Sequence, residues 1–196
     1  MRRIGVTALA VLGALTLTSA AGARVLRVGT YKGIPGPYKS IQAAVDAARP
    51  GDWILVGPGD HKEHSGRAPA GHADTTAGVL ITRADLYLRG MNRNTVIVDG
   101  TEPGSAKCSA KASAQELGPP GLKSADARLG LNGIMVWKAA NVWVQNMTVC
   151  NYLHGSGDTG NEIWWNGGDG SGRIGGHGYF GSYLTTTSTF FTDEPT

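Results

Sequence analysis

Asp52-Trp53-Ile54-Leu55-Val56-Gly57 returns as Asp85-Leu86-Tyr87-Leu88-Arg89-Gly90 and again as Asn141-Val142-Trp143-Val144-Gln145-Asn146. In each copy a turn-forming Asp or Asn feeds four residues that alternate, the period of a β-strand with one face buried. Aligned on the Asp and Asn, the pattern puts Trp53, Leu55, Leu86, Leu88, Val142 and Val144 on a core face. Tyr87, Arg89, Trp143 and Gln145 then stand on an outer wall. The copies begin at 52, 85 and 141, intervals of 33 and 56. The longer interval contains residues 101–130, rich in Ser, Ala, Lys, Gly and Pro; without these 30 residues it shrinks to 26. Glu162-Ile163-Trp164-Trp165 repeats Gly133-Ile134-Met135-Val136 at an interval of 29. Short strands repeating over some 20 to 50 residues indicate a solenoid whose coils hydrogen-bond to their neighbours and whose insertions leave at turns.

Ahead of the first copy, Ser40 is placed to cap a helix whose apolar residues Ile41, Ala44, Val45 and Ala48 fall at i, i+3, i+4 and i+7. Pro50-Gly51 ends it. The Ile41/Val45 face is expected to cover the open end of the first coil, hiding apolar surface and an unpaired strand edge. Gln42 lies off that face and is expected to contribute little to stability.

The run from Ser40 to Ala48, followed by Pro50-Gly51-Asp52 and Gly57-Pro58-Gly59, resembles the opening coil of the pectate-lyase-like superfamily. The resemblance extends from about Val25 to the end of the chain. It implies an all-β, right-handed parallel β-helix with a short N-terminal capping helix, over residues 24–196. It also implies a polysaccharide partner, and calcium is the cofactor it brings into view. The superfamily includes polysaccharide lyases, glycoside hydrolases, esterases and noncatalytic proteins, and none of their site motifs matches here residue by residue. The expected function is therefore binding or processing of an extracellular polysaccharide. A noncatalytic surface or adhesion protein, or a periplasmic accessory protein, is the alternative.

Candidate chemistry gathers between Asn151 and Gly178, where His154, Asp158, Glu162, Asp169, Arg173 and His177 lie among many glycines. A carboxylate pair there would serve as acid and base for glycoside cleavage or as calcium ligands; as single residues they also read as solvated turns. Trp143, Trp164 and Trp165 are candidates for stacking on sugar rings, with packing between coils as the competing use.

Arg2-Arg3, the uncharged apolar run Ile4 to Leu17 and Ala21-Gly22-Ala23 together read as a secretory signal over residues 1–23. The mature chain is expected outside the cell, or in the periplasm of a two-membrane bacterium. The apolar run is short for a span of roughly 20 residues, so no membrane insertion is expected. The whole chain carries 18 Lys+Arg against 15 Asp+Glu; without Arg2 and Arg3 the balance is 16 to 15. That near-neutral, scattered charge does not suit nucleic acid. Cys108 and Cys150 are expected to pair in an oxidising compartment, pinning the insertion to its own coil. After Phe190-Phe191 no capping helix follows, so further coils or end-to-end self-association are expected.

Overall fold

The computed structural model describes residues 22–167 and 177–190, so the signal read at 1–23 falls almost wholly outside them. In chain order the strands begin with β1 (Val25–Val28) and a small antiparallel hairpin of β2 (Thr30–Tyr31) and β3 (Ile34–Pro35). The helix α1 (Ile41–Ala47) follows, then β4 (Trp53–Val56), β5 (Gly59–Lys62) and β6 (Ala77–Ile81). The next coil is β7 (Leu86–Gly90), β8 (Val96–Asp99) and β9 (Asn132–Trp137). After it come β10 (Val142–Gln145), β11 (Thr148–Cys150) and β12 (Ile163–Asn166), and finally β13 (Tyr179–Ser182) and β14 (Thr185–Thr187).

These strands stack into three walls. The first has the order β1-β4-β7-β10-β13, the second β5-β8-β11-β14 and the third β6-β9-β12. Every ladder within the walls is parallel. The chain therefore passes along the first, second and third walls in turn and returns one layer higher. Such parallel crossovers turn right-handed, and the architecture is a right-handed parallel β-helix. Its interior is apolar: Leu26, Ile54, Leu88 and Val144 line the first wall, Val98 and Val149 the second, and Val79 and Ile134 the third. Among the described residues no helix is long and apolar enough to cross a membrane.

The register corrects the alignment of the first repeat. Trp53 pairs with Tyr87 and Tyr87 with Trp143, while Ile54 pairs with Leu88 and Leu88 with Val144. The first copy is thus displaced by one residue, and a slip of one exchanges the two faces of a strand. Ile54 and Val56 are core, and Trp53 and Leu55 stand on the outer wall. The cause lies in the turn. Its left-handed position is filled by Gly51 (φ 88°), Asp85 (φ 59°), Asn141 (φ 54°) and Gly178 (φ 73°), residues that tolerate this conformation. Gly51, one residue before Asp52, is the true counterpart of Asp85. Asp52 instead anchors the start of the first wall. Hydrogen bonding from the Arg24 guanidinium, helped by the backbone N–H groups of Arg24 and Arg49, holds its carboxyl down at about 2.

Helix α1 forms where its periodicity places it. The Ser40 hydroxyl accepts from the Ala43 N–H at 3.2 Å, and Ile41, Ala44, Val45 and Ala48 are buried. The helix packs on β1, β4 and β6, where burial of each larger side chain stabilises by about 1.5–3 kcal/mol. Gln42 overturns the expectation attached to it. Its amide accepts from the Leu80 N–H at 2.7 Å and donates to the Leu80 carbonyl at 3.2 Å, imitating the next strand on the free edge of β6. Glu63, also buried, closes the N-terminus of the helix by accepting from the N–H groups of Ile41 at 2.5 Å and Gln42 at 3.3 Å. The backbone carbonyl of Glu63 accepts in turn from the Tyr152 hydroxyl at 3.1 Å, from a ring buried in the core.

Candidate functional site

The insertion decides which wall is free to meet a ligand. Lys62, Asp99 and Cys150 form one outward row on the second wall, and the first part of the insertion folds over it. The fully buried Asp99 carboxylate accepts from Thr101 N–H at 2.8 Å, Cys108 N–H at 2.7 Å and Lys62 Nζ at 2.7 Å. Burial disfavours its charged form, but Lys62 and these backbone donors outweigh that cost and hold the carboxyl below its ordinary range. Lys62 also donates to the Thr101 hydroxyl at 2.6 Å and lies 3.2 Å from Asp60. Asp60 is pushed upward, chiefly by burial. A disulfide joins Cys108 to Cys150 with their Cα atoms 5.7 Å apart, so the insertion is pinned to its own coil. Asn151 Nδ2 adds a hydrogen bond to the Ser109 carbonyl at 2.8 Å.

Among the described residues, acidic, imidazole and thiol side chains that could share a metal ion converge in one group of three, Asp99 with Cys108 and Cys150. Its two sulfurs are bonded to each other and its carboxylate is committed to three donors, whereas calcium takes six to eight oxygens.

The outer face of the third wall is largely self-covered. Trp137 lies 4.6 Å from the His72 ring and 6.0 Å from Trp164, which meets it edge-on, and the Lys138 ammonium sits 5.5 Å from the Trp137 ring. Met135, on the same strand as Trp137, is fully buried.

The first wall stays open, and it carries two parallel rows. One reads Val25, Trp53, Tyr87, Trp143 and Phe180; the other reads Arg27, Leu55, Arg89, Gln145 and Ser182. Layers in a parallel sheet lie about 4.8 Å apart, which lets the rings stack on one another. Trp53 and Tyr87 are 4.6 Å apart, Tyr87 and Trp143 6.1 Å, and Trp143 and Phe180 3.8 Å. Each such contact adds about 0.5–1.5 kcal/mol beyond area burial. The belt therefore stabilises the wall and presents ring edges outward. Beside it, a groove of about 500 Å³ lies between the hairpin residue Tyr31 and the wall, lined by Leu55, Arg89, Met91 and Asn92. Arg27 and Arg89 are exposed, and among the described residues neither makes an ion pair.

Of the residues singled out between Asn151 and Gly178, His154, Asp158 and His177 are exposed and Glu162 is half-buried. His154 and Asp158 are exposed in the turn after β11, with His154 Nδ1 at 3.1 Å from the Thr159 carbonyl. Glu162 turns back to accept from the Tyr152 N–H at 3.3 Å, and burial pushes its carboxyl up to about 8. His177 is exposed at the entry to β13, where its carbonyl accepts from Asn141 N–H at 3.1 Å. Asp169 and Arg173 lie outside the described residues. No hydrogen bond or ion pair joins His154, Asp158, Glu162 and His177 to one another among the described residues. The tryptophans divide as well: Trp143 is sandwiched in the belt, Trp164 belongs to the third wall, and Trp165 packs inward against the core. Arg27, Arg89 and Tyr31 were not singled out. The outward register of Arg89 was visible in the repeat, but Arg27 and Tyr31 join it only through strand pairing and the hairpin.

No protein-family model and no curated protein matches this chain. Among solved structures, a pectin methylesterase variant in complex with a hexasaccharide is similar, at 21% identity and a TM-score of 0.37, over 64% of this chain and 30% of that one. Pectin methylesterase PemA from Erwinia chrysanthemi is similar at 18% identity and a TM-score of 0.44, over 85% of this chain and 45% of that one. The chain spans less than half the length of either protein. By its own ladders of parallel strands, it is a parallel β-helix protein.

Proposed function

We propose that the outer face of the first wall binds an extended anionic polysaccharide running along the helix axis. The observation that carries this reading is the row containing Arg27 and Arg89, two guanidinium groups without ion-pair partners among the described residues, beside an apolar belt and the Tyr31/Arg89 groove. A wall that repeats every layer suits a ligand that repeats along its length. The two arginines stand two layers apart, about 10 Å, and guanidinium groups pair with carboxylates in bidentate fashion. Glycoside cleavage by acid and base needs two carboxyl groups flanking the bond. Neither row contains one among the described residues. The reading is therefore retention of the polymer without hydrolysis, which favours a surface or adhesion role over a glycoside hydrolase.

Affinity electrophoresis through gels containing polygalacturonate or neutral dextran tests it. Polygalacturonate should retard the protein, dextran should not, and retardation should weaken as salt rises. Arg89→Gln should weaken binding by about 10- to 100-fold, the range for losing a charge-assisted hydrogen bond. Equal retardation in both gels, or full retention by a variant lacking both Arg27 and Arg89 side chains, would refute it.

A further inference from the structure

Lys62 and Asp99 are neighbours across the ladder of the second wall, paired in register where β5 meets β8. Lys62 Nζ stands 2.7 Å from Asp99 Oδ2, with the Asp99 side chain wholly buried and that of Lys62 only 14% exposed. Asp60, two residues earlier on the same face of β5, brings a carboxyl oxygen to 3.2 Å from the same nitrogen. The hydroxyls of Thr101 at 2.6 Å and Ser105 at 3.3 Å complete the surroundings of Nζ. Asp99 is held as firmly: Thr101 N–H donates to Oδ1 at 2.8 Å and Cys108 N–H to Oδ2 at 2.7 Å.

An ion pair needs only the first two of these groups. The third, Asp60, supplies what a condensation needs, an acid within reach of the amine, and burial pushes its carboxyl upward, which suits a group that holds and hands over a proton. Burial also disfavours the charged form of Asp99. We propose that the Lys62 amine and the Asp99 carboxyl condense to a side-chain amide, with Asp60 moving the protons. The charged pair is the resting reactant. Its ammonium gives one proton to the Asp99 carboxylate, and the lone pair freed on Nζ attacks Cγ to form the C–N bond. The Thr101 and Cys108 N–H groups stand at the two carboxyl oxygens, where charge gathers in the tetrahedral adduct. Asp60 gives its proton to the departing hydroxyl, the Cγ–O bond breaks, water leaves, and Asp60 regains a proton from Nζ. One amide and one water thus replace one ammonium and one carboxylate, with no change of oxidation state. Fixing both groups in the ladder favours the step, because well-oriented intramolecular reactions reach effective molarities of about 10⁵–10⁸ M. The amide ties β5 to β8, and the disulfide ties the insertion to Cys150 in the next layer. The inference is independent of the polysaccharide-binding reading.

The test is the mass of the purified full chain, denatured and reduced, with its N-terminus identified from the peptides of a digest. The chain should be lighter by one water. Trypsin should leave the bond after Lys62 uncut and release one branched peptide carrying both Lys62 and Asp99. Lys62→Arg keeps a positive charge beside Asp99 but has no primary amine, and should show its full mass. Asp60→Asn keeps both partners and should leave most chains unlinked, because acid–base catalysis contributes about 100-fold or more. Closure of Asp99 onto the Gly100 nitrogen also removes one water, but it leaves Lys62 open to trypsin and persists in Lys62→Arg. Full mass in the parent, complete cleavage after Lys62, or a loss of water that survives Lys62→Arg overturns the proposal, and an unchanged linked fraction in Asp60→Asn overturns the step as written.

Discussion

Glu63→Gln is expected to change the sign of its effect with pH. The Glu63 side chain is buried against the first turn of α1, and burial, countered in part by the N–H groups of Ile41 and Gln42, lifts its carboxyl from 4.5 to about 7. Between those values the folded protein holds a proton that the unfolded chain releases, so stability falls as pH rises. The contribution is complete below about 4.5 and lost above about 7, a difference of about 3 kcal/mol. Glutamine cannot ionise and escapes this loss. It keeps one oxygen to accept from Ile41 and gives up the longer bond to Gln42, a cost of about 1 kcal/mol. The variant should therefore be less stable than the parent by about 1 kcal/mol at pH 4.5 and more stable by about 2 kcal/mol at pH 8. Glu162, raised to about 8 by burial, titrates in the same direction in both proteins and cancels in the difference. Urea unfolding at half-unit steps from pH 4.5 to 8.5 measures the two curves. A constant gap between them would show that Glu63 is not the titrating group.

Gln42→Ala should destabilise by about 1–3 kcal/mol, because it strips both hydrogen bonds from the edge of β6 at Leu80; chemical denaturation next to Val45→Asp measures it, and a loss under about 0.5 kcal/mol would count against the pairing. Replacing Cys108 and Cys150 together by serine opens a loop of 42 residues and should cost about 4 kcal/mol in the chain-entropy account, and thiol titration of the denatured, unreduced parent should find no free thiol. Lys62→Met leaves the buried Asp99 carboxylate without its counter-ion and should cost about 3–5 kcal/mol, a loss that a melting curve at pH 7 would register and that should shrink as the pH is lowered and Asp99 takes up a proton.

Much of the fold was legible because it is written in short-range patterns. The helix over Ile41–Ala47, its Ser40 cap, the alternating strands and the pairing of Ile163 with Ile134 all follow from periods of 3.6 and 2 and from one interval between repeats. The face of the first strand was misread because two residues competed for one role. Asp52 looks like Asp85 and Asn141, yet what the turn selects is a backbone conformation, and Gly51 adopts it. Gln42 and Glu63 were missed for a related reason. Their partners, Leu80 and the N-terminus of α1, are 38 and 22 residues away, and polar side chains reaching across that distance leave no periodic trace.

The candidate site shows where sequence reading stops in a solenoid. His154 and Asp158, close in sequence, share an exposed turn, while Glu162 turns back onto the Tyr152 N–H. Residues that share a wall are a whole coil apart: Arg27, Leu55, Arg89 and Gln145 follow one another at intervals of 28, 34 and 56. Those unequal intervals arise because turns vary in length and the insertion leaves between β8 and β9, while the hydrogen-bonded ladder restores the register at every layer. The sequence by itself determined a stack of short strands closed by an amphipathic helix, because alternation and amphipathicity are local properties of the chain. Only the tertiary structure decided which wall is covered and which is open. That choice rests on Asp99, Lys62 and the disulfide drawing the insertion over the second wall, and on the ladder bringing Arg27 and Arg89 into one row.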